Sequence, residues 1–91
     1  MSRVYIDTRE FSHPIPMEMA IEVIVSLDND SYLYMLHTKK PIPLLDLAKT
    51  QRLESFYYED SLGDWHILIA KNRTMDLSTL LLQNPPKKET D

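Results

Sequence analysis

The stretch FSHPIPMEMAIEV, residues 11–23, sets the start of the predicted fold, because a Pro-x-Pro step stands directly ahead of a helix-forming segment. Pro16 suits a first helical turn, where the backbone N–H that proline lacks would have no intrahelical partner. Apolar residues then recur at helical spacing, at Met17, Ala20, Ile21, Ile24 and Leu27. The turn-forming residues 28–30 (DND) interrupt this spacing. The pattern therefore predicts one helix between Pro16 and residue 28.

The segments on either side of this helix have the composition of strands. Residues 3–7 (RVYID) and residues 31–37 (SYLYMLH) alternate in polarity and are rich in β-branched or aromatic side chains. A strand, a helix and a second strand in succession predict a right-handed parallel crossover. The first half of the chain is thus expected to form a β-α-β unit.

The second half of the chain predicts another helix and a hairpin. Pro41 or Pro43 opens the helix, which ends near Arg52. Residues 53–59 and 65–71 read as strands around a loop that holds Gly63, whose backbone can take the positive φ of a hairpin turn. The predicted fold class is α+β: a two-layer α/β sandwich of order β-α-β-α-β-β, with two helices on one face of a four-stranded mixed sheet.

The pattern changes after residue 72, which we take as the domain boundary. Residues 1–72 form the predicted domain, and residues 73–91 form a C-terminal tail. Met75, Leu77, Leu80 and Leu81 fall at roughly helical spacing and predict a short helix, for which the bare sheet face is available. The final segment, residues 84–91 (NPPKKETD), has the composition of a disordered end.

Composition restricts the class of protein. The 91 residues carry a net charge of −4 with both signs scattered, so no basic stripe is present to attract nucleic acid. No apolar stretch is long enough for a membrane span, and the polar start lacks a signal peptide, so we expect a cytoplasmic protein. The sequence contains no cysteine, which excludes disulfides, thiolate metal sites and persulfide carriage.

The Pro-x-Pro helix start in this strand order resembles the TusA/SirA/YedF sulfur-carrier superfamily over residues 3–71. Within that superfamily the chain is similar to a widespread bacterial family of unknown function. Members of that family share the sequence motifs found here at residues 38–44 (TKKPIPL) and 65–69 (WHILI). The resemblance implies a TusA/SirA-like fold. The sulfur carriers have Cys-Pro-x-Pro, whereas this chain reads His13-Pro14-Ile15-Pro16, so their activity does not carry over.

Three histidines are predicted at one edge of the sheet. His13 follows the first strand, His37 ends the second and His66 begins the fourth, at the carboxyl edge where open α/β sheets bind ligands. We predict a binding site there, with the candidate residues Ser12, His13, Pro14, Pro16, His37, Lys39 and Lys40. One alternative is a metal or haem site at His13, His37 and His66, although their spacing matches no established zinc pattern. Another is a purely structural role for His13.

The expected function is a small non-catalytic accessory module that binds a protein or ligand, without sulfur-carrier chemistry. Ser12 and His13 are adjacent, so their side chains diverge and do not form a nucleophile and base. We expect no enzyme activity and no cofactor. A protein partner is expected, with no nucleic acid or membrane, and the chain is expected to be a monomer or weak homodimer.

Overall fold

The structure, a computed structural model, describes residues 2–83 and forms one mixed sheet with three helices. The elements are β1 (Ser2–Asp7), α1 (Ile15–Ser26), β2 (Ser31–His37), α2 (Ile42–Thr50), β3 (Glu54–Glu59), β4 (Trp65–Ala70) and α3 (Leu77–Gln83). The strand order is β1-β2-β4-β3. β1 and β2 are parallel, and β4 pairs antiparallel with β2 and β3. The predicted α+β class and element order are confirmed.

One face of the sheet packs against α1 and α2. This first core combines helix and strand residues that are at least nine-tenths buried: Ala20, Ile24, Leu27, Leu33, Met35, Leu44, Ala48, Ile67 and Ile69. The predicted stripe on α1 is correct except at Ile21, which is 36% exposed. Successive helical residues are turned by about 100°, so the residue after the fully buried Ala20 points away from the sheet.

Among residues 2–83, two adopt left-handed backbone conformations, each at a reversal of the chain direction. Gly63 has φ 88° in the β3–β4 hairpin, as its place in the sequence predicted. Arg52 has φ 57° just after α2, where the sequence offers no glycine. Its N–H donates to the Lys49 carbonyl, and the Leu53 N–H donates to the Ala48 carbonyl. These two bonds are the Schellman pattern, which satisfies the last helical carbonyls.

The other face of the sheet packs against α3 and the segment before it. This second core contains Tyr32, Tyr34, Leu68, Ala70, Met75 and Leu77, with Phe56, Leu80 and Leu81 packed against it. The helix predicted within the tail is therefore present, and it covers part of the face that α1 and α2 leave bare. Residues beyond the predicted boundary at 72 thus contribute to a core. The predicted disordered end, residues 84–91, lies outside the described residues.

The helices are short. The longest of those within residues 2–83 has 12 residues, and none of them is long and apolar enough to cross a membrane.

Candidate functional site

A pocket of about 160 Å³ opens where α1 and α2 begin, beside the end of β2. We call it the helix-edge pocket; it is lined by His13, Pro16, Met17, Met35, His37, Lys39, Lys40, Pro41, Pro43 and Leu44. The topology brings these residues together, because the loop after β1 and the loop after β2 leave the same edge of two parallel neighbouring strands. Of the candidate binding residues, His13, Pro16, His37, Lys39 and Lys40 line the pocket, while Ser12 and Pro14 adjoin it in sequence.

The polar groups of the pocket are cationic or imidazole groups. Two lysines and two histidines line it, over a base of methionine, leucine and proline side chains. None of the described residues that line it carries a carboxylate. The amino termini of α1 and α2 add the positive ends of two helix dipoles. This electrostatic environment favours an anionic occupant.

The proline-rich starts of α1 and α2 reduce the number of backbone donors that such an anion can reach. Helix amino termini usually bind anions through free N–H groups. Here Pro16, Pro41 and Pro43 line the pocket and have no N–H to offer. The Ile15 N–H already donates to the Ser12 carbonyl, and the Ile42 N–H donates to the Lys40 carbonyl. The two lysine ammonium groups are therefore the cationic donors at the pocket, beside the first-turn N–H groups of Met17 and Leu44.

Lys40 is held in place by two aromatic rings. Its Nζ lies 5.0 Å from the centre of the Tyr57 ring and 5.9 Å from that of Trp65. The two rings are neighbours across the β3–β4 pair, with centroids 6.4 Å apart. Cation–π attraction of this kind contributes about 0.5–1 kcal/mol at exposed sites. Restraining a long side chain in advance lowers the entropic cost of using its charge to bind a ligand.

His37 is fixed by a buried threonine. The Thr8 side chain is 0% exposed, and its Oγ1 lies 2.8 Å from the Leu36 carbonyl oxygen and 3.0 Å from His37 Nδ1. Burial lowers the pKa of His37 below its ordinary value, opposed by a hydrogen bond to the Thr8 backbone and reinforced by the positive charge of Lys39. The neutral form of the His37 imidazole is therefore favoured at pH 7.

His66 lies on the opposite face of the sheet from His37. In the β2–β4 pairing His37 faces Trp65 and Leu36 faces His66, and neighbouring residues of a strand point to opposite faces. His66 Nδ1 is 2.5 Å from the Tyr34 hydroxyl and Nε2 is 2.7 Å from Asp60 Oδ2. The structure thus brings His13 and His37 to one pocket but leaves His66 out of it.

The metal alternative finds no assembled ligand set. Within residues 2–83 no group of three His, Cys, Asp or Glu side chains is placed to hold a metal ion. The aspartates nearest this edge are engaged with Arg9, whose guanidinium lies 2.8 Å from Asp7 Oδ2 and 3.2 Å from Asp64 Oδ2. The hydrogen bond from Arg9 lowers the pKa of Asp7 below its ordinary value. The predicted set of His13, His37 and His66 is therefore not brought together in this structure.

Sequence reasoning missed Thr8 and the chain of hydrogen bonds at His66. Thr8 comes just after the first predicted strand, and its importance depends on Leu36 and His37, which lie on another strand. Asp60 lies in the loop between the two predicted hairpin strands, and its carboxylate accepts hydrogen bonds from the Leu62 and Asp64 N–H groups and contacts His66. The proline pairs are a detectable signal, because each one lies at the start of a helix in the connection that follows a strand.

Comparison with protein families matches residues 5–71 to the family described as uncharacterized conserved protein (DUF2249). The matched segment contains every residue that lines the helix-edge pocket, and it ends before α3. No curated protein and no solved structure matches the chain.

Proposed function

This chain belongs to the DUF2249 family of uncharacterized conserved proteins, and from that premise we propose that it is a small non-catalytic interaction module. Its helix-edge pocket binds an anionic group presented by a partner. We also propose that the family lies within the TusA/SirA-like superfamily, with His13 at the position of the sulfur-bearing cysteine. In this proposal the module acts in the cytoplasm as a monomer or weak homodimer.

The observation that carries the proposal is the composition of the pocket. Two lysines face a concave site that no described carboxylate lines, in a chain whose net charge is −4. A positive site on a negative protein attracts an anion locally while the rest of the surface repels it, which favours specific over diffuse binding. The volume of about 160 Å³ suits one acidic group rather than a large cofactor.

The surroundings of the pocket support a protein as the source of that acidic group. Ile15 and Ile42 are the first residues of α1 and α2, and they are 42% and 56% exposed. Phe11, in the loop that leads to α1, is 41% exposed. Large apolar side chains around a polar site are typical of contact surfaces, where their burial supplies affinity and the charged centre supplies specificity.

The absence of sulfur-carrier chemistry gives a direct prediction. No residue of the chain can hold a persulfide, because the sequence contains no cysteine. After incubation with a cysteine desulfurase and a sulfur donor, the intact mass measured by mass spectrometry is expected to be unchanged. A Cys-Pro-x-Pro sulfur carrier treated in parallel serves as the positive control. A covalent gain of one sulfur atom would contradict this part of the proposal.

Anion binding is tested with a small acid. N-acetylglycinate, titrated into the ¹⁵N-labelled protein, is expected to shift the NMR signals of residues around His37 and Lys39. Replacing both Lys39 and Lys40 with Gln removes the two cations of the pocket, and the affinity should fall about tenfold if each charge contributes about 0.7 kcal/mol. The measurement is the dissociation constant obtained from the chemical-shift titration.

Two controls separate pocket binding from general charge effects. Lys49→Gln removes an exposed lysine of α2 that does not line the pocket, and it should leave the affinity unchanged. N-acetylglycinamide keeps the shape of the probe without its charge and should not bind. The proposal fails if the acid causes no shifts, or if Lys49→Gln weakens binding as much as the pocket double variant does.

A further inference from the structure

We infer that the acid bound in the helix-edge pocket carries a hydrogen-bond donor beside its negative charge, and that His37 Nε2 accepts this donor. The inference rests on the proposed function and deepens it, since it names the class of ligand. Hydroxy acids belong to this class, and so does the carboxyl end of a protein chain, whose last amide N–H lies next to its carboxylate.

The first step of the argument is the single proton of the Thr8 hydroxyl. Its Oγ1 lies 2.8 Å from the Leu36 carbonyl oxygen, which can only accept a hydrogen bond. The hydroxyl must therefore donate its proton there, since two oxygen atoms this close need a hydrogen between them. Only lone pairs of Oγ1 are left for His37 Nδ1, 3.0 Å away. His37 Nδ1 consequently carries a proton and donates to Thr8.

The second step concerns the other nitrogen of the same ring. A neutral imidazole has one proton, so a protonated Nδ1 leaves Nε2 with a free lone pair. Within residues 2–83 the His37 ring has hydrogen-bond partners only in Thr8, and the contact with Thr8 Oγ1 uses Nδ1. No described side-chain nitrogen or oxygen is both buried and unpaired, so Nε2 is accessible. The ring lines the pocket, where Nε2 is an acceptor without a protein donor.

The third step is the chemistry that such a pocket selects. Lys39 and Lys40 attract the negative charge, while Nε2 repels any oxygen lone pair placed against it. A simple carboxylate satisfies the lysines only. An acid that also carries an O–H or N–H satisfies the lysines and Nε2 together, and a site with a fixed acceptor disfavours the analogue that lacks the donor.

Two isosteric pairs of acids test the inference in the wild-type protein. Glycolate and propionate have the same number of heavy atoms and differ by an O–H in place of a methyl group. N-acetylglycinate and levulinate differ by an N–H in place of a methylene group, and the first of them mimics a chain end. In NMR titrations at pH 8 the donor-bearing member of each pair should bind roughly tenfold more tightly. A larger preference within the glycolate–propionate pair indicates a free hydroxy acid as the ligand. A larger preference within the N-acetylglycinate–levulinate pair indicates a chain end.

Variants of Thr8 and His37 connect the preference to the tautomer. His37→Phe removes the acceptor and should make the two members of each pair bind equally, while Lys39 and Lys40 still bind both. Thr8→Val releases His37 Nδ1, so Nε2 can take the proton and the preference should be lost. Thr8→Ser keeps the hydroxyl and should keep the preference, which separates the effect of the hydrogen bond from that of altered packing.

Direct observation of the His37 ring nitrogens needs neither ligand nor variant. In the wild-type protein the ¹⁵N signals at pH 8 should show Nδ1 protonated and Nε2 unprotonated. The inference is overturned if Nε2 carries the proton, or if propionate and levulinate bind as tightly as their donor-bearing partners. Those results would leave the proposed function intact, whereas failure of all four acids to bind would remove the proposed function itself.

Discussion

Replacing Leu77 with Ala is expected to lower the free energy of unfolding by about 2–5 kcal/mol, the usual cost of truncating a buried leucine. Leu77 opens α3 and is only 2% exposed, in contact with the second core. The loss leaves a void between α3 and the sheet face that carries Tyr32 and Tyr34. Equilibrium denaturation in urea, followed by circular dichroism, measures the change.

The control for this variant is Arg73→Ala, which truncates an exposed residue in the segment just before α3. Its effect should stay within about 0.5 kcal/mol, as is usual for surface substitutions. If Leu77→Ala were equally mild, α3 would contribute little to stability. Residues 1–72 would then behave as the complete domain that the sequence predicts, with residues 73–91 as a dispensable tail.

Replacing His66 with Ala is expected to destabilise the protein by about 2–4 kcal/mol. The ring is 7% exposed, lies between Tyr34 and Asp60, and is stacked on Tyr58 with a centroid separation of 4.6 Å. Its removal takes one hydrogen-bond partner from the hydroxyl of the fully buried Tyr34, and the loss of a partner by a buried polar group costs about 1–3 kcal/mol. Lost packing accounts for the rest.

The chemistry of the chain of hydrogen bonds supports this estimate. The Asp60 carboxylate can only accept, so His66 Nε2 carries a proton and donates to it, and this bond lowers the pKa of the Asp60 carboxyl. In the neutral ring Nδ1 then accepts from the Tyr34 hydroxyl, whose pKa is raised by burial. These hydrogen bonds thereby connect Tyr34, at the centre of β2, to the β3–β4 hairpin through His66 of β4.

The matched control for His66→Ala is His13→Ala, since His13 is exposed at the pocket and its loss should change stability by less than about 0.5 kcal/mol. Tyr34→Phe tests the coupling, because it removes the partner of His66 while keeping the ring. The combined variant should cost less than the sum of the two single variants. Strict additivity in urea denaturation would show that the two side chains do not support each other.

The amino-acid sequence by itself determined the order of the elements and much of their extent. β2 runs from Ser31 to His37 as its alternation predicts, and Gly63 supplies the turn of the hairpin. These features are local, because spacing along the chain and the conformational freedom of single residues decide them. The absence of cysteine likewise excludes a persulfide on this chain without reference to the fold.

The tertiary structure decided which side chains meet. His37 and His66 both lie near one edge of the sheet, but the strand register places Leu36, not His37, opposite His66. A shift of one residue in the pairing of β2 with β4 would place His37 opposite His66, on the same face of the sheet. Nothing in either strand alone sets that register. For the same reason Thr8 reads as a turn residue until β2 brings Leu36 and His37 beside it. Contacts between residues about thirty positions apart depend on how strands pair, which short-range sequence patterns do not encode.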